Sequence, residues 1–129
     1  MSNDDYILLV EPDEDLRDTL VEFLYEEGYA SCAASTGAEA LSFLDAAPPP
    51  CLVFIDEQAL AGRDARFVTA LRALPALAHV PVCALADNER LAPLEFDDVM
   101  KKPVDVRDLL RVIDRWCRKG YSATTSAPS

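Results

Sequence analysis

Three stretches of the chain are apolar almost without interruption: Tyr6-Ile7-Leu8-Leu9-Val10, Cys51-Leu52-Val53-Phe54-Ile55 and Val80 to Leu85. Runs of this length and composition describe strands covered on both faces, and Pro81 is tolerable in the third because it sits at the start. Between them the pattern changes to a helical period. From Asp13 to Glu27, Leu16, Leu20, Phe23 and Leu24 recur among charges, with Asp13 a candidate N-cap and Gly28 a candidate C-terminal cap. Ser35-Thr36-Gly37 can open a helix carrying Ala40, Leu41 and Leu44, which Pro48-Pro49-Pro50 terminate. Phe67, Val68, Leu71 and Leu74 mark a third helix. A last one starts at Asp105, with Asp108 three residues on, and runs through Val106, Leu109, Leu110, Ile113 and Trp116 to a stop at Gly120. Ala30 to Ala34 and Val99-Met100-Lys101 are weaker, mixed strands.

Five strands alternating with helices predict a parallel sheet wrapped on both sides, because parallel neighbours need crossover connections. The two weak strands belong at the edges. Strand order 2-1-3-4-5 achieves this, so the fold class is α/β, flavodoxin-like and doubly wound. In such sheets the site lies beyond the carboxyl ends of the strands, at the switch point between the first and third. Glu11 follows Val10 there, Asp56 follows Ile55, and Ala86 follows Leu85. Two carboxylates at adjacent strand ends repel each other, and a hard divalent cation such as Mg2+ relieves the repulsion.

The order of these residues resembles the receiver domains of bacterial response regulators, of the chemotaxis-regulator type. The resemblance covers roughly residues 5 to 119 and rests on Ile7 to Glu11 with Arg17, Thr36-Gly37 with Ala40-Leu41, Val53 to Asp56, Val80-Pro81-Val82, and Lys102-Pro103. The spacings of 45 residues from Glu11 to Asp56 and 30 from Asp56 to Ala86 are similar to the family's. The resemblance implies a two-component phosphorelay role. Asp56 would be the phosphoacceptor and Lys102 would supply an ammonium to the phosphoryl oxygens, with Pro103 setting its approach through a cis bond. Glu11, Asp56 and the backbone carbonyl of Gln58 would ligate Mg2+, and a sensor histidine kinase or another signalling protein would be the partner.

Departures from the family point to a divergent or pseudo-receiver variant. Pro12 stands where a second acid is usual, which leaves Glu11 or Asp13 to substitute and implies weak or absent metal binding. Ala86 replaces the hydroxyl residue that ends the fourth strand, and Val99 replaces the usual aromatic residue. Leu60 and Asp64 stand where proline and glycine are usual. Lys102 follows Ala86 by only 16 positions, and the connection includes Pro93, so the fourth helix is expected to be short. The alternative function is a phosphorylation-independent binding module. A flavin- or nucleotide-binding enzyme on the same sheet order is disfavoured, because Glu11-Pro12-Asp13-Glu14-Asp15 offers acids where a phosphate cradle wants glycines. No catalytic turnover is expected.

Length and charge narrow the partners. The 129 residues, half of them hydrophobic, suit one domain, with residues 120 to 129 read as a frayed tail. The formal net charge of −11 disfavours nucleic acid. No apolar run reaches membrane-spanning length and the N-terminus lacks a signal peptide's basic flank, so a cytoplasmic protein is expected. Oligomeric state is not legible. Acids crowd residues 1 to 30, ten against one base, whereas residues 101 to 119 carry seven bases and three acids. There, Arg107, Arg111, Arg115 and Arg118 line one helix face, either a solvated flank or a dock for an acidic protein surface. Cys32, Cys51, Cys83 and Cys117 lie far apart and read as small buried apolar residues, unpaired. Trp116 reads as core packing or a partly covered edge, and His79 as a residue preceding a strand.

Overall fold

In a computed structural model that describes residues 5 to 60, 66 to 87 and 96 to 118, the chain forms a five-stranded sheet of order β2-β1-β3-β4-β5, with every neighbouring pair parallel. The strands are β1 Ile7–Val10, β2 Ser31–Ala34, β3 Leu52–Asp56, β4 Val82–Ala86 and β5 Asp98–Lys101. The helices among the described residues are α1 Glu14–Glu26, α2 Gly37–Leu44, α3 Phe67–Arg72 and α4 Val106–Trp116. Every residue of β1, β3 and β4 is buried, whereas β2 and β5 are only partly covered. That is the arrangement their composition predicts.

Alternation along the strands divides the core in two. Leu8, Val10, Val53, Ile55, Val82 and Ala84 face one way, into a core completed by α2 and α3. Ile7, Leu9, Leu52, Phe54, Cys83 and Leu85 face the other, towards α1 and α4. The helix starts follow local chemistry. Asp13 accepts from the Leu16 amide and Thr36 from the Glu39 amide, while Glu39 reaches back past the cap to accept from the amide of Ser35. Gly28 closes α1 at φ 92°, a conformation costly for any residue with a Cβ.

Several expectations are corrected. The third helix stops at Arg72, because Pro75 holds Leu74 extended at φ −88° and ψ 121°. The last helix ends at Trp116, ahead of Gly120, and Cys117 is extended. Its opening uses Asp105 alone, which accepts from the Arg107 amide, while Asp108 pairs with Arg111 and completes no capping box. The cysteines depart furthest from the reading of four unpaired residues. Cys51 and Cys117 form a disulfide across 66 residues with their Cα atoms 5.4 Å apart, tying the start of β3 to the end of α4. Only Cys32 and Cys83 are free thiols. Trp116 is 40% exposed, in keeping with a partly covered edge. The shortened connection with Pro93, the position of Asp64 and the tail from 120 to 129 lie outside the described residues.

Candidate functional site

The end of β1 is fixed by the first turn of α1. The Glu11 amide donates to the Ala34 carbonyl at 2.9 Å, and the Glu11 carbonyl accepts from Arg17 Nη1 at 3.0 Å. Glu11 Oε2 accepts from the Asp13 amide at 3.1 Å. The side chain is therefore turned into the molecule, with 1% exposure, and Oε1 is buried without a hydrogen-bond partner. Burial lifts its carboxyl to about 7, the nearby Asp56 adds to the rise, and the Asp13 amide and Lys102 oppose it.

Asp56 closes β3, also 1% exposed. Its Oδ1 accepts from the Gln58 amide at 2.9 Å, and its Oδ2 accepts from Lys102 Nζ in an ion pair. Lys102 arrives from β5, where its amide donates to the Ala86 carbonyl at 2.8 Å, and the Lys102–Pro103 bond is cis. Burial opposes the charge on Lys102, but the hydrogen bond and field of Asp56 outweigh it and raise the ammonium above its ordinary value. Glu57 Oε2 accepts from the Asp87 amide at 2.8 Å and ties together the loops after β3 and β4. Sequence reasoning did not single out this brace, since a lone acid after a strand carries no signal of its partner.

Three predicted site residues, Glu11, Asp56 and Lys102, thus meet at one rim of the sheet. Gln58 adjoins them through its amide, and its side chain is exposed. Asp13 caps α1 through Oδ1, and Pro12 has no side-chain donor to offer. No group of three or more His, Cys, Asp or Glu side chains able to hold a metal is gathered among the described residues. The donor set nevertheless suits a hard cation in kind: two carboxylates, one with an orphaned buried oxygen. It is one ligand poorer than a three-acid site.

The far half of the rim is bland. Ala86 is fully buried and presents no hydroxyl, and Val99 is partly buried and packs against the core on the α2 and α3 side. The expected row of four arginines on one helix face is cut to three, because α4 ends at Trp116 and Arg118 follows the extended Cys117, and the row is not free. Arg107 lies 3.6 Å from Asp105, Arg115 3.8 Å from Asp98, Arg118 3.7 Å from Asp5, and Arg111 pairs with Asp108. All four remain exposed, so the row is a partly neutralised, solvated flank.

Solved structures match this architecture throughout. A response regulator receiver domain from Methylobacillus flagellatus is 25% identical, covering 86% of this chain and 97% of its own at TM-score 0.71. A chemotaxis protein of Vibrio cholerae reaches TM-score 0.77 at 21% identity, over 87% of this chain and 98% of its own. This chain has the receiver-domain fold. The receiver domain of the sensor histidine kinase PA1611 from Pseudomonas aeruginosa, with a magnesium ion in its active-site cleft, is similar at TM-score 0.73 and 24% identity, over 87% and 96% of the two chains. In sequence the chain belongs to one family with an uncharacterized 14.6 kDa protein of Leptolyngbya boryana, 34% identical over 118 residues that span 86% of this chain and 88% of the other. No family profile matches the sequence. On the receiver fold, Glu11, Asp56 and Lys102 occupy the carboxyl rim of β1, β3 and β5, and no described helix is long and apolar enough to cross a membrane.

Proposed function

We propose that the chain is a receiver module of two-component phosphorelay signalling, with Asp56 the phosphoacceptor and protein contact its output. The observation that carries this is the Lys102 ammonium seated on a buried Asp56 carboxylate at the rim, with Glu11 alongside. In the transfer, a bond forms from an Asp56 oxygen to phosphorus as the phosphorus–nitrogen bond of a phosphohistidine on a sensor kinase breaks, and the imidazole leaves. Lys102 neutralises charge on the phosphoryl oxygens. Glu11, Asp56 and the Gln58 carbonyl would hold Mg2+, which when bound supplies further charge neutralisation at the phosphoryl group. With Pro12 in the second acid's place, that binding is weak. The module is a binding protein, not an enzyme. A kinase partner places it in the cytoplasm, where the Cys51–Cys117 link meets a reducing environment.

A second reading is favoured by Ala86: without a hydroxyl at this buried position, no side chain there turns towards a phosphoryl group. On that reading the domain is a pseudo-receiver that binds its partner in one conformation. Both readings are tested together. Incubation with acetyl phosphate and Mg2+ should add one phosphoryl group by intact mass to the wild type and none to Asp56→Asn. An equal mass in both, with partner binding untouched by Asp56→Asn, would select the pseudo-receiver.

A further inference from the structure

Between α1 and the segment leading into α4 a cavity of about 590 Å³ reaches down to the sheet. Its floor is Leu9, Phe54 and Leu85, all of them core residues. Leu20 and Phe23 of α1 form one wall and Val104 and Leu109 the other, and the mouth is flanked by Leu16 and Val106, both exposed. The opening has a local cause. Just beyond the C-terminus of α1, Tyr29 donates to Asp114 at 3.3 Å and so joins the lower ends of the two helices, while the disulfide at Cys117 fastens α4 to the start of β3. Nothing comparable joins their upper halves among the described residues, and Leu24 is the sole residue of α1 that is fully buried.

We propose that this cavity binds an uncharged, largely hydrocarbon small molecule with one hydrogen-bond acceptor at the end beside Lys102. Its volume falls in the range of ligand pockets, roughly 300–1,000 Å³. The cavity opens to solvent and its lining is almost wholly apolar, so an apolar occupant would take hydrocarbon surface out of water on both sides. The polar atoms at the rim fix the ligand's other end. Lys102 and Asp87 line the cavity where it meets the acid site, and they carry opposite charges. Behind Lys102 stand Asp56 and Glu11, so an anionic head would meet more negative than positive charge. A neutral carbonyl or hydroxyl can accept from the Lys102 ammonium without that repulsion. Because Lys102 also holds Asp56, an occupied cavity and the acid rim share one side chain, which gives a bound ligand a direct route to the site of signalling.

The test uses the full chain and the uncharged fluorophore N-phenyl-1-naphthylamine. Saturable fluorescence at one probe per chain, with methyl NMR shifts at Leu9, Leu20, Leu85 and Leu109 and none at Leu8 or Leu44, is the expected result. Leu20→Trp, which fills the cavity, should weaken the probe at least tenfold while the far-ultraviolet circular dichroism is kept. Should that variant fail to fold, the methyl map of the wild type decides alone. Unsaturable fluorescence, shifts on the α2 and α3 face, or probe affinity that falls as protein concentration rises because a second copy covers the mouth would each overturn the proposal. None of these readings involves phosphoryl transfer, so their failure and that of the receiver reading are separable.

Discussion

The amino and carboxyl ends of the sheet are built on opposite principles. At the amino end the chain is fastened: Cys51 is bonded to Cys117, the Cys51 amide donates to the Tyr6 carbonyl at 2.8 Å, and the Tyr6 hydroxyl donates to the Pro48 carbonyl at 2.5 Å. At the carboxyl end two carboxylates and an ammonium are taken out of water together, and one carboxylate oxygen has no partner. Buried charge is destabilising unless fully compensated, so the rim lowers the stability that the opposite end supplies. The proposed site sits at the end that costs stability. Within that rim Glu11, Asp56 and Lys102 gather the charged groups, while the half at Ala86 and Val99 presents no polar side chain.

Opening the disulfide tests the fastened end and should have the largest effect. A cross-link closing 66 residues restricts the unfolded chain by about 4 kcal/mol in the chain-entropy account. Urea unfolding of the wild type with and without dithiothreitol should show that loss, and Cys117→Ser should match the reduced protein. Equal midpoints would mean that the amino end does not depend on its link.

Next in size is Lys102→Met. It strands the Asp56 carboxylate in the interior and should cost about 3 kcal/mol at pH 7, since removing one partner of a buried pair is worse than removing both. Adding Asp56→Asn should recover most of the loss. A double variant no more stable than Lys102→Met would show that the pair is not energetically coupled.

What was legible in the sequence divides along the same line. β1, β3 and β4 announced themselves because strands covered on both faces have no polar positions, and the order of the sheet followed from the weakness of β2 and β5. Glu11, Asp56 and Lys102 were legible because each sits at or just past a strand end, where topology alone brings it to the rim. The disulfide was not, since residues 66 apart carry no spacing signal and their pairing depends on where α4 ends. Nor was the cavity. Leu16, Leu20 and Phe23 have the same helical period whether the wall opposite touches them or stands away.

The carboxyl end can be probed through proton linkage at Glu11. The unfolded carboxyl titrates near 4.5 and the folded one near 7. Between those values the folded state keeps a proton that the unfolded state has released, so the Glu11 contribution is fully present below about 4.5 and is lost as pH rises through about 7. Allowing for solvent screening, the loss is roughly 1–2 kcal/mol. Glu11→Gln should remove that slope and be the more stable protein at pH 8. Mg2+ should then stabilise the wild type at pH 8 and leave Glu11→Gln nearly unchanged. Parallel pH profiles for the two proteins would refute the assignment.

The smallest effect should lie on the flank of α4, away from both ends. Arg111 pairs with Asp108 on an exposed face, where solvent screens the charges and two mobile side chains lose rotamer freedom to meet. Arg111→Ala should therefore change stability by less than about 0.5 kcal/mol in thermal unfolding, and salt should shrink even that difference. The contrast with Lys102→Met is one of burial: each change removes a cation from a carboxylate, but water replaces the guanidinium beside Asp108 and has little access to Asp56. A loss at Arg111 as large as that at Lys102 would mean that the α4 flank is covered in solution, and the arginine row would then be a docking surface.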